Sequence, residues 1–215
     1  MKGNENLSDA EIIERILNGE KSLFEVIVRR FNAPLYKVGR SYNFNHDDTQ
    51  DLMQDTYIDA YKNLKSFEGR SGFKTWIIRI MLNNCYRKKE KSSYKNEVMR
   101  DFTEQPEPVE SITGNDTEKE VHTRELGQII ENALSKIPFD YRMVFSLREV
   151  NGLNVLETAN LLNISESNVK VRLNRAKTML RGWIEKSYPI NELFEFNLVY
   201  CDAMVQKVME KINEL

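Results

Sequence analysis

Cysteine is nearly absent from this chain: Cys85 and Cys201 are the only two, far apart, with no CxxC or HxxxC spacing. That excludes a disulfide framework and fits a reducing compartment, the cytoplasm. The two histidines, His46 and His122, are isolated as well, so no residues are spaced as a structural zinc site, and neither metal nor cofactor is expected. Long apolar runs are missing. None approaches the roughly 20 residues of a membrane helix, and the polar start MKGNENLSDAEI has no apolar segment of a secretory signal. Neither charge sign dominates: 31 Lys and Arg stand against 33 Asp and Glu, a net charge of −2. A free-standing DNA-binding protein is usually more basic, so this balance needs a reason.

Proline (5) and glycine (9) are scarce in the 215 residues, and helical periods fill the space they leave. Ser8-Asp9-Ala10-Glu11 is a capping box that opens a helix to about Asn18. A second helix runs through Leu23, Phe24, Ile27, Val28 and Phe31, and another follows Pro34. A long helix starts at His46-Asp47-Asp48 and ends near Leu64. After the loop 65–72, a further helix spans Phe73 to about Lys91. Charge is segregated: nearly all basic from Arg70 to Lys95, mostly acidic from Glu97 to Glu120, which suits surfaces for different partners. The acidic stretch, with Pro106, Pro108 and Gly114, reads as a linker. The expected fold is all-α: two small helical domains, 1–95 and 121–186, joined by an acidic flexible linker, 96–120. A C-terminal helical extension, 187–215, carries an apolar face of Met204, Val205, Val208, Met209 and Ile212.

Three helices carry the candidate chemistry. From Asp48 to Leu64 the buried face is expected to be Met53, Tyr57, Ala60, Tyr61 and Leu64, opposite a stripe of Asp48, Asp51, Asp55 and Asp59. Like charges at i, i+4 repel, so the stripe suggests docking to a basic partner; a solvated face and a metal-bound carboxylate cluster are the alternatives. From Phe73 the expected buried face is Ile77, Ile78, Met81, Leu82 and Cys85. Its outer stripe, Trp76, Arg79, Asn83 and Arg87, suits nucleic acid, because aromatics stack on bases and arginines hold the backbone. The most telling segment is Leu153–Leu180, a helix, a tight turn at Asn163-Ile164-Ser165, and a second helix capped by Ser165 or Ser167. Val169, Leu173, Ala176 and Leu180 share that helix's dry back. Val171, Asn174, Arg175 and Thr178 form the front, flanked by Lys170, Arg172, Lys177 and Arg181. This is the layout of a helix-turn-helix reader of duplex DNA.

DLMQDTYIDAYKNLKSF, EGRSGFKTWIIRIMLNNCYR and ALSKIPFDYRMVFSLREVNGLNVLETANLLNISESNVKVRLNRAKTMLR stand in this order. Together they closely resemble bacterial sigma factors of the extracytoplasmic-function type, over roughly residues 8–186. The resemblance implies a specificity subunit, not an enzyme, that binds core RNA polymerase through its clamp and flap and recognises both duplex and single-stranded promoter DNA. It places Asp51, Gln54, Asp55 and Tyr57 on the clamp. Phe67, Glu68, Gly69, Arg70 and Ser71 match a loop that captures a flipped −10 base, with Asn83 in its pocket. Trp76, Arg79 and Arg87 face the melting junction. Lys170, Val171, Asn174 and Arg175 read the −35 element, with Arg172 and Lys177 on phosphates. The acidic linker resembles the segment threaded through the polymerase RNA path. Such proteins bind free DNA weakly, which suits the near-neutral charge, and they act in the cytoplasm on the nucleoid. The recognition helix departs from the family pattern at Val171 and Asn174, so promoter preference does not transfer. For the C-terminal extension two readings stay open: packing on the second domain, or docking an anti-sigma factor or recruiter. A self-sufficient dimeric repressor or activator and a metal-dependent nuclease using Asp48–Asp59 are the competing functions. The first lacks a dimerisation segment, and the second lacks a histidine or a glycine-rich phosphate loop.

Overall fold

The computed structural model describes residues 7–98, 127, 129–187, 204, 206, 208–209 and 212, and among them every regular element is helical. Of the expected linker, 96–120, all but residues 96–98 lie outside the described residues, as does most of the expected C-terminal extension. The helix α1 (Asp9–Leu17) opens on the expected capping box, in which the Ser8 hydroxyl accepts the Glu11 N–H and the Glu11 carboxylate accepts the Ser8 N–H at 2.7 Å. Next, α2 (Phe24–Ser41) is continuous through Pro34, where two helices were expected. The missing N–H costs one backbone bond, but Ile27, Phe31, Leu35 and Val38 form an unbroken buried row that holds the helix together.

The helix α3 (His46–Lys62) is capped by Asn45 and α4 spans Phe73–Val98, past the expected end near Lys91. In α4 the residues Ile77, Ile78, Met81, Leu82 and Cys85 are all buried, as their period implies. In α3 the buried face is rotated from the expected one. Thr49, Leu52, Thr56, Tyr57 and Ala60 are inside, Met53 is half-buried, and Tyr61 is exposed. Both threonines are satisfied locally, donating to the Asn45 and Leu52 carbonyls at 2.7 Å, so they pack as small apolar bodies. Thr49 faces Gly39 of α2, where an added Cβ would lie 2.6 Å from its methyl carbon. That glycine is what lets α2 and α3 approach so closely.

The second half begins with helical residues 129–135. The helix α5 (Phe139–Phe145) follows and continues into a π turn, Ser146–Val150. The helix-turn-helix is α6 (Val155–Leu162) and α7 (Glu166–Ser187). A second capping box, Asn154 with Glu157, opens α6. Asn163 closes it in the left-handed conformation, φ 52°, which an asparagine tolerates better than most residues. The Ser165 hydroxyl then accepts the Asn168 N–H at 3.2 Å and starts α7. Val144, Ala159 and Val169 form this unit's small core.

The two halves are not separate bodies. Met143, Leu147 and Leu153 join the core of the first half. Arg142, 7% exposed, donates through Nε to the Ser41 carbonyl at the end of α2 (2.7 Å) and through Nη1 to Ser135 and Ile137 carbonyls at 2.9 and 3.1 Å. A cation belongs at a helix C-terminus, where unsatisfied carbonyls concentrate negative charge. Burial alone lowers the pKa of its guanidinium. Lys89 sits 4.0 Å over the Phe139 ring, Lys74 donates to the Asn151 carbonyl, and Thr75 donates to Glu157 at 2.7 Å.

Candidate nucleic-acid interface

The loop after α3 is anchored by aromatics. A 3-10 turn, Leu64–Ser66, brings Phe67 against Phe73 and Trp76, with ring centroids 5.3 and 5.4 Å away, and Phe73 and Trp76 meet at 5.3 Å. Phe67 and Trp76 are therefore half-buried, where Trp76 was expected on an exposed stripe. The reason is local: its indole closes over Phe67, which the stripe reading left out. Glu68, Gly69, Arg70 and Ser71 project into solvent beyond this anchor, with Arg70 paired to Glu68.

Arg79, Asn83 and Arg87 are exposed on α4 as expected. Asn83 lies seven residues beyond Trp76, about 10 Å along the axis. Arg87 is engaged rather than free. It pairs with Asp59 at 3.5 Å and donates to the Asn84 side-chain oxygen, while Asn84 Nδ2 reaches Asp59 and Thr56 at 3.2 Å each. Asn84 is buried; it escapes a reading of periodicity because an amide next to Asn83 looks like another surface residue.

The acidic stripe of α3 divides. Asp48 pairs with Lys88, and Asp59 with Arg87, so both hold α3 to α4. Asp51, Gln54 and Asp55 remain exposed, joined by Ile58, 44% exposed, at the spacing of one face. Tyr57 does not share that surface: it is buried, and its hydroxyl donates to the Val28 carbonyl and Asn32 Oδ1 at 3.1 and 2.9 Å. Its place in the core, opposite the aspartates, corrects its assignment to the polymerase contact. Among the described residues no group of three or more His, Cys, Asp or Glu side chains could hold a metal ion.

On α7, Val169 and Ala176 are buried and Leu173 and Leu180 half-buried. Lys170, Val171, Asn174, Arg175, Lys177 and Thr178 are exposed, Val171 at 47%. An exposed valine between cations is costly to solvate and useful against a thymine methyl. The cations have partners that periodicity could not show: Arg175 donates to the Tyr141 hydroxyl (3.2 Å), Arg172 pairs with Asp140 (3.3 Å) and Lys177 with Glu149 (3.0 Å).

An aromatic-anchored loop beside a basic helix, an exposed acidic face and a helix-turn-helix are thus carried by one chain. Residues 27–93 match sigma-70 region 2 and residues 127–180 match sigma-70 region 4, which makes this a sigma-70-type factor, one that confers promoter choice on core RNA polymerase and has promoter DNA as its other partner. The ECF RNA polymerase sigma-E factor of Haemophilus influenzae is 27% identical over 185 residues, 84% of this chain and 97% of its own length. That of Escherichia coli is 28% identical over 188 residues, covering 85% and 97%. The chain belongs to the extracytoplasmic-function sigma factors. Its fold also resembles the sigma factor RpoE of Bartonella quintana, solved with the anti-sigma factor NepR: TM-score 0.63 and 21% identity over 75% of this chain and 96% of that one. No described helix is long and apolar enough to cross a membrane.

Proposed function

We propose that promoter reading is divided between the two halves. Residues 1–95 bind the polymerase clamp through Asp51, Gln54, Asp55 and Ile58, and capture single-stranded −10 DNA with the loop Phe67–Ser71 and Asn83. The Phe67–Phe73–Trp76 cluster holds the loop rigid, so that the few kcal/mol of base unstacking is not compounded by ordering the loop. Trp76 and Arg79 face the melting junction. Residues 121–186 read the −35 duplex through Lys170, Val171, Asn174 and Arg175, and residues 96–120 connect the two. The protein is a specificity subunit with no catalysis of its own, acting on the nucleoid in the cytoplasm. A regulator of the anti-sigma class is a further partner, as NepR is for the Bartonella protein.

The observation that carries this reading is the exposed α7 front, Val171, Asn174 and Arg175, on a helix-turn-helix whose back is dry. A −35 and a −10 element lie about 25 base pairs apart, roughly 85 Å at 3.4 Å per step. Thr75 and Glu157, one from each half, are 2.7 Å apart, so the halves separate when both elements are bound. The test is base preference in transcription by holoenzyme carrying single variants. Asn83→Ala relaxes choice at one −10 base and lowers permanganate reactivity of the melted strand. Asn174→Ala relaxes choice at one or two −35 positions, at about 1–3 kcal/mol per lost contact. If both variants change rate without changing base choice, the division is wrong.

A further inference from the structure

The cationic front of α7 is held from one side by a single neighbouring segment. Asp140 and Tyr141 in the first turn of α5, and Glu149 in the π turn, meet Arg172, Arg175 and Lys177 respectively. The three partners are not equivalent. Arg175, in the reading front, is held by a phenol hydroxyl and not by a carboxylate. Arg172 and Lys177, on the flanks, are held by carboxylates. Among the described residues Lys170 and Arg181 have no carboxylate partner.

We infer that Asp140 and Glu149 are counter-charges that hold down the sequence-independent grip of the recognition helix on duplex DNA, and that Tyr141 positions Arg175 for base contact. The inference rests on reading α7 as the −35 reader. Phosphate contacts supply affinity without sequence information, whereas base-edge contacts supply the discrimination. A phosphate approaching Arg172 meets a cation already neutralised, and beside it a carboxylate whose side chain is 62% exposed. The same holds at Lys177, whose partner Glu149 is 37% exposed. Both carboxylates repel the backbone, so the non-specific part of binding shrinks. The base contacts of Val171, Asn174 and Arg175 are untouched, and the ratio of specific to non-specific binding rises. The hydroxyl of Tyr141 takes one donor of Arg175 and fixes the plane of the guanidinium, on which bidentate recognition of a base depends.

The test measures binding of the full chain to a short duplex of random sequence, by fluorescence anisotropy between about 50 and 200 mM salt. Asp140→Asn and Glu149→Gln should each raise affinity about two- to five-fold, the range of an exposed ion pair, and steepen the log–log salt slope by up to about 0.9. Asp140→Glu keeps the charge and should behave as wild type. Glu14→Gln on α1 removes a distant surface charge and controls for net charge. Tyr141→Phe should leave random-duplex affinity unchanged but blur one position when −35 sequences are selected by holoenzyme. Lys170→Ala separates the two levels of the reading. If it lowers binding while the Asp140 and Glu149 variants match Glu14→Gln, only the counter-charge inference falls. If Lys170→Ala has no effect, α7 is not the DNA face and both fall.

Discussion

Cys85 shows how burial sets chemistry at the scale of one residue. It is fully buried in the first half, and desolvation pushes its thiol up to about 12 from an ordinary 9.0. The phenols of Tyr42 and Tyr57 are raised for the same reason, since each would have to carry its anion into a low-dielectric interior. In the unfolded chain these groups lose their protons near their ordinary values, so between about pH 9 and 12 the folded state binds more protons than the unfolded one. The stability they contribute is fully present below about pH 9 and is lost as pH rises through that window, by up to about 1.4 kcal/mol per pH unit for each such proton. Urea midpoints should therefore fall between about pH 8 and 10, and Cys85 should resist iodoacetamide at pH 8 until the chain is unfolded. An unchanged midpoint, or rapid native labelling at Cys85, would contradict the burial assigned to it.

At the scale of the element, α3 does two jobs along one helix. Asp48 and Asp59 tie it to α4 through Lys88 and Arg87, whereas Asp51 and Asp55 point away from the rest of the fold. Reversing charge at these positions should have opposite signatures. Asp51→Lys with Asp55→Lys should leave thermal stability within about 0.5 kcal/mol, as for surface positions generally, yet weaken association with core polymerase. Asp59→Lys should cost about 1–3 kcal/mol, because it removes one of the two acceptors of the buried Asn84 amide and faces Arg87 with a like charge. Equal effects of the two changes on stability would mean the stripe is one surface after all. How far the sequence reveals an element depends on what its buried face is made of. The α4 face of isoleucine, methionine and cysteine is legible from period alone, and the helix-turn-helix from its capping residues. The buried face of α3 is not, because Thr49 and Thr56 look polar until their hydroxyls are seen bonded to their own backbone. Pro34 misleads in the other direction: it marks a break on local grounds, and the tertiary packing of Phe31, Leu35 and Val38 overrides it.

At the scale of the molecule, the contact between halves is the part no local pattern predicts. Arg142 reads as one more surface cation, yet it is buried among carbonyls contributed by both halves. The partner that joins the halves, the Ser41 carbonyl, is a backbone atom about a hundred residues away, and such a contact leaves no mark in composition or period. The same holds for Thr75 with Glu157, which lends one carboxylate to both the α6 cap and the first half. These contacts are polar and lie at the rim of a shared apolar cluster of Met143, Leu147 and Leu153. That makes the arrangement of the halves a specific one, and on the proposed function it is one that promoter engagement undoes. The proposed function also accounts for the charge: a chain of net charge −2, with Arg172 and Lys177 of α7 paired to carboxylates, is poorly suited to hold DNA alone, and in that proposal polymerase brings both reading surfaces to the promoter. The most direct measurement is in vitro transcription from a library of random promoters, with core RNA polymerase and purified full chain. Transcripts should appear only when both are present, and should share two sequence elements about 25 base pairs apart, the spacing of a −35 and a −10 site. Transcripts with no shared element, or no transcription beyond that of core enzyme alone, would contradict the assignment of this chain as a promoter-specificity subunit.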